Sequence, residues 1–178
     1  MRIVNVFDAV QEGNFKEFKR LYTDDVNVID RYSSFNLLQS VLISTNNEAE
    51  RLKIIDFLLE HNIDISYQDK KYHRNALHCI FFNFLEGNAE YLLKAVTMLV
   101  DAGIEINALD KFKAIPLKYA ITIVKLHTEE IKKVYRYMIK AGSDYNLKDA
   151  FGKSCIDYAK ELTWRNGFIK IAEEMEND

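Results

Sequence analysis

One proline, six glycines, two cysteines and one tryptophan are all that this 178-residue chain holds of those types. The two cysteines, Cys79 and Cys155, stand far apart with no CxxC pair, which excludes a disulfide framework and a zinc ribbon. No run approaches the ~18 apolar residues of a membrane span. The opening MRIVNVFDAVQEG meets Asp8 before any long apolar region, so no signal peptide is expected. Charge of either sign is not in large excess. A net −3 gives no strong pull toward nucleic acid or acidic membranes. Phosphate-loop, HExxH, Gly-x-Ser-x-Gly and Gly-x-Gly-x-x-Gly patterns are absent, and with them the common nucleotide, zinc-hydrolase and serine-hydrolase signatures. What is present, 48% hydrophobic and 29% charged residues, is ordinary for a soluble globular domain of this length. A cytoplasmic, reducing setting is expected.

Scarcity makes the remaining proline and glycines informative. Pro116 and Gly103 both fall in one short link, LVDAGIEINALDKFKAIPLKYA (99–120). That link recurs. Blocks of the form acid, apolar, Asn or Ser, two variable residues, Asp occur as DVNVID (25–30), DISYQD (64–69), EINALD (105–110) and DYNLKD (144–149). Their last aspartates, Asp30, Asp69, Asp110 and Asp149, are spaced by 39, 41 and 39 residues, a period that marks stacked supersecondary units. Before the last three blocks, apolar runs end at Asn62, Gly103 and Gly142, residues that tolerate the left-handed backbone of a helix C-terminus. After the blocks, Asn36, Asn75 and Ser154 are candidate N-caps, and Pro116 fits a first helical position, where its missing N–H costs nothing.

Each unit therefore reads as helix, turn, helix and an extended link with an aspartate near its tip. In this pattern the chain resembles the ankyrin repeat, most visibly in DAFGKSCIDYA (149–159), DKFKAIPLKYA (110–120), AGIEINALD and AGSDYNLKD. AVQEGNF (9–15), with Gly13, looks like that family's helix-to-helix turn. The resemblance implies an all-α solenoid over residues 1–178, as five units of roughly 1–29, 30–68, 69–109, 110–148 and 149–178, joined by finger loops. The first unit lacks a leading finger and the last ends in the polar EEMEND, as capping repeats do.

The period exceeds the ~33 residues of the family. From Leu38, Leu77 and Leu117 to Leu58, Leu99 and Met138 the chain runs 20, 22 and 21 residues. The excess falls in STNNEAER, NFLEGNAEY and VKLHTEEI, between the two helices of each unit, and lengthens either the helices or the turn.

No catalytic, metal or cofactor site is expected. His78, in NALH, holds the family's histidine position and reads as a backbone hydrogen-bonder, while His73 falls on a finger. Cys79 and Cys155 read as small buried apolar residues, and Phe81, Phe82, Phe84 and Trp164 as core. Adjacent acids such as Glu129–Glu130 point about 100° apart on a helix and do not converge on a substrate.

The remaining chemistry lies on the fingers. Tyr32, Tyr72, Phe112 and Phe151 follow the repeated aspartates by two or three residues, among Arg31, Lys70, Lys71, His73, Arg74, Lys111, Lys113 and Lys153. Arg31, Tyr32, Lys70, Lys71, Tyr72, His73, Lys111, Phe112, Lys113, Phe151 and Lys153 are the expected partner-binding residues. The alternative is that the aromatics pack between fingers and the lysines only solubilise. The resemblance implies non-catalytic recognition by a monomer of one protein partner, with no role for nucleic acid, membrane or cofactor. The leading expectation is a bacterial immunity protein occluding a toxin. An adaptor or inhibitor of a cellular or host protein, and a nucleic-acid binder using the basic fingers, are the alternatives.

Overall fold

The computed structural model describes residues 2–84 and 87–177. Ten α-helices follow one another among them: α1 (Val6–Gln11), α2 (Phe15–Leu21), α3 (Leu37–Leu42), α4 (Glu48–Glu60), α5 (Ala76–Asn83), α6 (Ala89–Asp101), α7 (Pro116–Thr122), α8 (Thr128–Lys140), α9 (Cys155–Glu161) and α10 (Asn166–Glu176). A 3₁₀ turn, Thr163–Arg165, precedes α10. Within the described residues the extended pairing is one isolated antiparallel bridge, Ile29 with Asn36. No described helix is long and apolar enough to cross a membrane.

The helices stack in two layers. The first helices α1, α3, α5, α7 and α9 pack each on the next, as do the second helices α2, α4, α6, α8 and α10. Burial follows from this placement. All six residues of α3 are buried, because α1, α5 and α4 surround it. The outer helices bury one stripe only, in α8 Ile131, Val134, Tyr135 and Met138, at the spacing of one helical face. Leu77, Leu117, Phe81, Phe168 and Tyr135 are fully buried in the core between units.

The punctuation residues hold the positions their chemistry dictates. Asn36, Asn75 and Ser154 N-cap α3, α5 and α9, each in a reciprocal capping box with Gln39, His78 and Asp157. Pro116 opens α7. Gly103 and Gly142 have φ of 87° and 97°, and nothing stands near either, so the backbone and not space calls for glycine there. Asn62 adopts φ 58° at the matching place.

The long period divides between both expected sources. Helices α4, α6 and α8 have 13 residues each, and links 43–47, 84–88 and 123–127 precede them. The second link includes Leu85 and Glu86, which lie outside the described residues. The first unit carries neither extension, with a 7-residue α2 after link 12–14.

Two core expectations are corrected. Phe81 and Phe84 are buried, but Phe82 is 43% and Trp164 37% exposed. Phe82 faces outward from α5, under the Arg74 guanidinium at 4.0 Å. Trp164 lies in the turn before α10, its ring covered by Arg165 at 3.9 Å.

That arginine is itself fully buried. Its Nε donates to Ile121 O at 3.0 Å, Nη1 to Leu126 O at 2.8 Å, and Nη2 to Val124 O. The end of α7 and the link after it thus receive the donors that the helix terminus lacks. Burial lowers the Arg165 pKa. Arg51, also buried, donates to Ser44 O in its own unit's link and stacks 4.3 Å over the Tyr91 ring.

Candidate partner-binding face

The finger tips are built around the repeated aspartates. Asp69 Oδ1 accepts from the N–H groups of Lys71 (2.9 Å) and Tyr72 (2.7 Å), and Oδ2 from that of Arg74 (3.0 Å). Asp110 accepts from the N–H groups of Phe112 and Ala114 and from the Tyr119 hydroxyl. Asp149 does the same with Phe151, Lys153 and the Tyr158 hydroxyl, the last at 2.7 Å. In the first finger, the Ser33 hydroxyl donates to Asp30 at 2.6 Å and holds that carboxyl below its usual range. Asp69, Asp110 and Asp149 are buried, so the charge of these three tip aspartates turns inward, while the acids that open the same links, Asp64, Glu105 and Asp144, stay exposed.

A backbone feature accompanies the turn. Ser34, His73 and Lys113 have φ of 63°, 56° and 56°, where the fourth finger places Gly152 at 74°. His73 and Lys113, both exposed, hold a left-handed conformation that costs a side chain about 1 kcal/mol or more.

Neighbouring fingers are joined through the main chain. Lys111 N–H donates to Tyr72 O at 2.9 Å, and Ala150 N–H to Phe112 O at 2.8 Å. Between the first two fingers the bond is instead from Tyr67 Oη to Ser34 O, at 2.6 Å. These rungs bring Tyr72, Lys111 and Phe112 together and set Phe151 beside them. Lys71 and Lys111 lie 5.0 and 4.7 Å from the Tyr72 ring centre, and Lys111 lies 5.5 Å from that of Phe112. Tyr72 and Phe112 are accordingly half-buried under lysine side chains. Tyr32 and Phe151 stand open, 99% and 67% exposed, with Arg31 exposed beside Tyr32. Lys70 is exposed at the second tip, and Lys153 pairs with Glu161 at 2.7 Å.

The finger row continues onto the first helices through Lys118, Tyr119 and Tyr158, which the sequence did not mark, and it includes Arg74, placed there among the finger cations but not among the expected contacts. Arg74 lies 4.8 Å from the ring centre of Tyr72 and 5.1 Å from that of Tyr119. Lys118 lies 4.7 Å from Tyr119 and 5.2 Å from Tyr158. The available signal was the offset: Tyr119 and Tyr158 each follow the finger aspartate by nine residues. Burial, and after it the bond to Asp110, pushes the Tyr119 pKa up to about 12, so this phenol stays a neutral donor.

At the same offset from Asp69 stands His78. Its Nε2 bonds Ala114 O of the next unit at 2.9 Å, which calls for the proton on Nε2, while Nδ1 lies 3.2 Å from the Asn75 N–H and 2.8 Å from Asn75 Oδ1. Burial lowers its pKa to about 4. It is a neutral clamp between units. Burial pushes the thiols of Cys79 and Cys155 up, and both are free. Among the described residues no group of three or more His, Cys, Asp and Glu side chains could hold a metal.

On the other layer, an open groove of about 860 Å³ separates α6 from α8, lined by Leu93, Met98 and Val134 with Lys94, Glu129 and Lys133 among its rim residues. Asn47 and Asn88, the N-caps of α4 and α6, are exposed, as is Glu129, which pairs with Lys132 at 2.8 Å.

Two layers of stacked helices with joined fingers along one edge define a helical-repeat solenoid. No protein-family model matches the chain. Over 133 residues, 73% of its length, it is 26% identical to the ankyrin repeat domain-containing protein M-T5 of myxoma virus (strain Lausanne). The match spans about a quarter of that viral protein, 24%. Helix pairs, finger register and this likeness together support a divergent ankyrin-repeat character: the chain is similar to ankyrin-repeat proteins. Ankyrin repeats are generally non-catalytic protein–protein interaction modules, and the likeness supports that role here.

Proposed function

We propose that the chain recognises one protein partner, without catalysis, along the finger tips and the first-helix face beside them. The observation that carries this reading is the sorting of charge at the tips. Asp69, Asp110 and Asp149 are buried in internal hydrogen bonds, while Tyr32, Phe151, Lys70 and Lys113 face solvent. Exposed aromatics flanked by cations are the side chains that most often anchor protein interfaces. In this reading the protein is a cytoplasmic monomer that occludes its partner by shape, the setting in which Cys79 and Cys155 remain free thiols.

The identity of the partner is a finer matter. A toxin, as for an immunity protein, is one candidate, resting on the Lys-, Ile- and Asn-rich composition. The viral origin of the relative favours the alternative, a cellular or host protein.

The test compares three forms of the protein as bait in extracts of the source cells. Wild type and the triple variant Asn47→Ala, Asn88→Ala, Glu129→Ala are expected to retain the same partner. Lys111→Glu with Phe112→Ala is expected to lose it without a large fall in melting temperature. The opposite pattern moves binding to the groove edge and overturns the proposal.

A further inference from the structure

The surface between the second and third fingers is chemically more specific than a general contact strip. Arg74 sits on the rings of Phe82, Tyr72 and Tyr119, at 4.0, 4.8 and 5.1 Å. Its own acceptors are poor. Asp110 Oδ2, the nearest carboxylate oxygen, lies 3.9 Å from Nε and already receives the Tyr119 hydroxyl. Nη2 reaches the Tyr119 hydroxyl only at 3.4 Å, and Nε makes no hydrogen bond. The Arg74 side chain is 11% exposed, and a guanidinium fixed on three aromatic walls with no bidentate partner is preorganised for a carboxylate arriving at that opening.

More cations share those rings. Lys118 and Arg74 both approach Tyr119, so their charges stand within about 10 Å of each other, the sum of the two ring distances. Lys111 and Arg74 are related in the same way through Tyr72. With Lys71 this makes four cations around two rings, against Asp69 and Asp110, which are buried and held by backbone N–H groups. The site is positive even with both aspartates ionised, on a chain whose net charge is −3.

We propose that this cluster binds an acidic, extended segment of the partner protein, one carboxylate chelated by Arg74 and others paired with Lys111 and Lys118. The inference rests on the docking face proposed above and deepens it. An extended chain advances about 3.3 Å per residue, so acidic side chains at every third position recur about every 10 Å, the separation these cations allow. A single-stranded nucleic acid fits less well, because it needs open ring faces for base stacking. Cations cover the faces of Tyr72, Phe82 and Tyr119.

Fluorescence anisotropy with a labelled (Glu-Gly-Ser)₃ peptide, its (Gln-Gly-Ser)₃ counterpart and a nine-nucleotide oligothymidylate tests the proposal on the whole chain. The glutamate peptide is expected to bind at least ten-fold tighter than the other two, and to weaken as salt rises. Arg74→Gln and Lys118→Gln should each cost about ten-fold, Arg74→Lys nearly as much as Arg74→Gln, and Lys94→Gln, in the α6/α8 groove, nothing. Melting curves identify any variant that fails to fold, and the other then decides. Equal binding of the two peptides, tighter binding of the oligonucleotide, or glutamate-peptide affinity unchanged in the folded variants overturns the inference. If the acidic peptide is ignored while finger variants still lose the cellular partner, this inference fails and the docking face stands.

Discussion

His78 and Gln39 hold the same place in successive units, and that equivalence supports a quantitative test. Gln39 accepts from Asn36 N–H at 3.3 Å and donates across to Arg74 O at 2.6 Å. His78 accepts from Asn75 N–H and bonds Ala114 O in the same manner. Replacing His78 by Gln should therefore preserve both bonds, at a cost of less than about 1 kcal/mol for the edge contact with Tyr119. Replacing it by Ala removes both. Ala114 O keeps the Asp110 N–H, but the buried Asn75 N–H loses its partner, at about 1–3 kcal/mol. With the cavity left by the imidazole, a total of about 2–4 kcal/mol is expected.

The pH dependence adds an independent sign. The folded pKa, about 4, lies below the ordinary 6.5, so the unfolded chain takes up the proton first. Above pH 6.5 both states are neutral and the effect vanishes. As pH falls toward 4, stability is lost progressively, by about 2 kcal/mol at pH 5 and about 3 kcal/mol at the limit. The Gln variant has no such group. Urea unfolding followed by circular dichroism at pH 7.5 and pH 5.0 should show the variant near wild type at the first pH. At the second it should exceed wild type by about 2 kcal/mol. An Ala variant as stable as the Gln variant, or a Gln variant that tracks wild type through acid, would refute the assigned role.

Two further predictions concern the core. Leu77→Ala and Leu117→Ala, at fully buried positions in α5 and α7, should each cost about 2–5 kcal/mol; unchanged denaturation midpoints would disprove the helix register. Arg165→Met leaves Val124 O and Leu126 O without their guanidinium donors and should cost about 2–4 kcal/mol in urea unfolding. Arg165→Lys should recover less than half of that, because an ammonium cannot span three carbonyls; full recovery would show that charge and not the fork matters.

Much of the architecture was legible because it is set by local backbone chemistry. Asn36, Asn75, Pro116, Gly103 and Gly142 mark helix ends through capping and φ, and the chain alone displays both. The side on which Phe82 emerges was not legible, since an aromatic in an apolar run reads as core unless a partner such as Arg74 is known to cover it. The division of the long period between link and helix escaped for a related reason. STNNEAER has the polarity of a loop, yet its second half forms the first turn of α4, where acids are favourable. At the candidate site, spacing indicated the tips but not the first-helix side chains. Lys118, Tyr119 and Tyr158 meet the fingers only once the units stack.

Arg165 also bears on how such a chain can be rearranged. Repeat arrays grow and diverge by duplicating or exchanging units, which works cleanly when a unit carries everything its own backbone needs. Arg51 serves the link of the unit in which it lies, although Ile43 O still depends on Asn83 from the next. Link 123–127 takes its donors from Arg165, some 40 residues downstream. A copy of residues 110–148 inserted elsewhere would carry those carbonyls without their arginine. The link after α7 is thus a poor piece to copy alone, because its donors come from the arginine before α10.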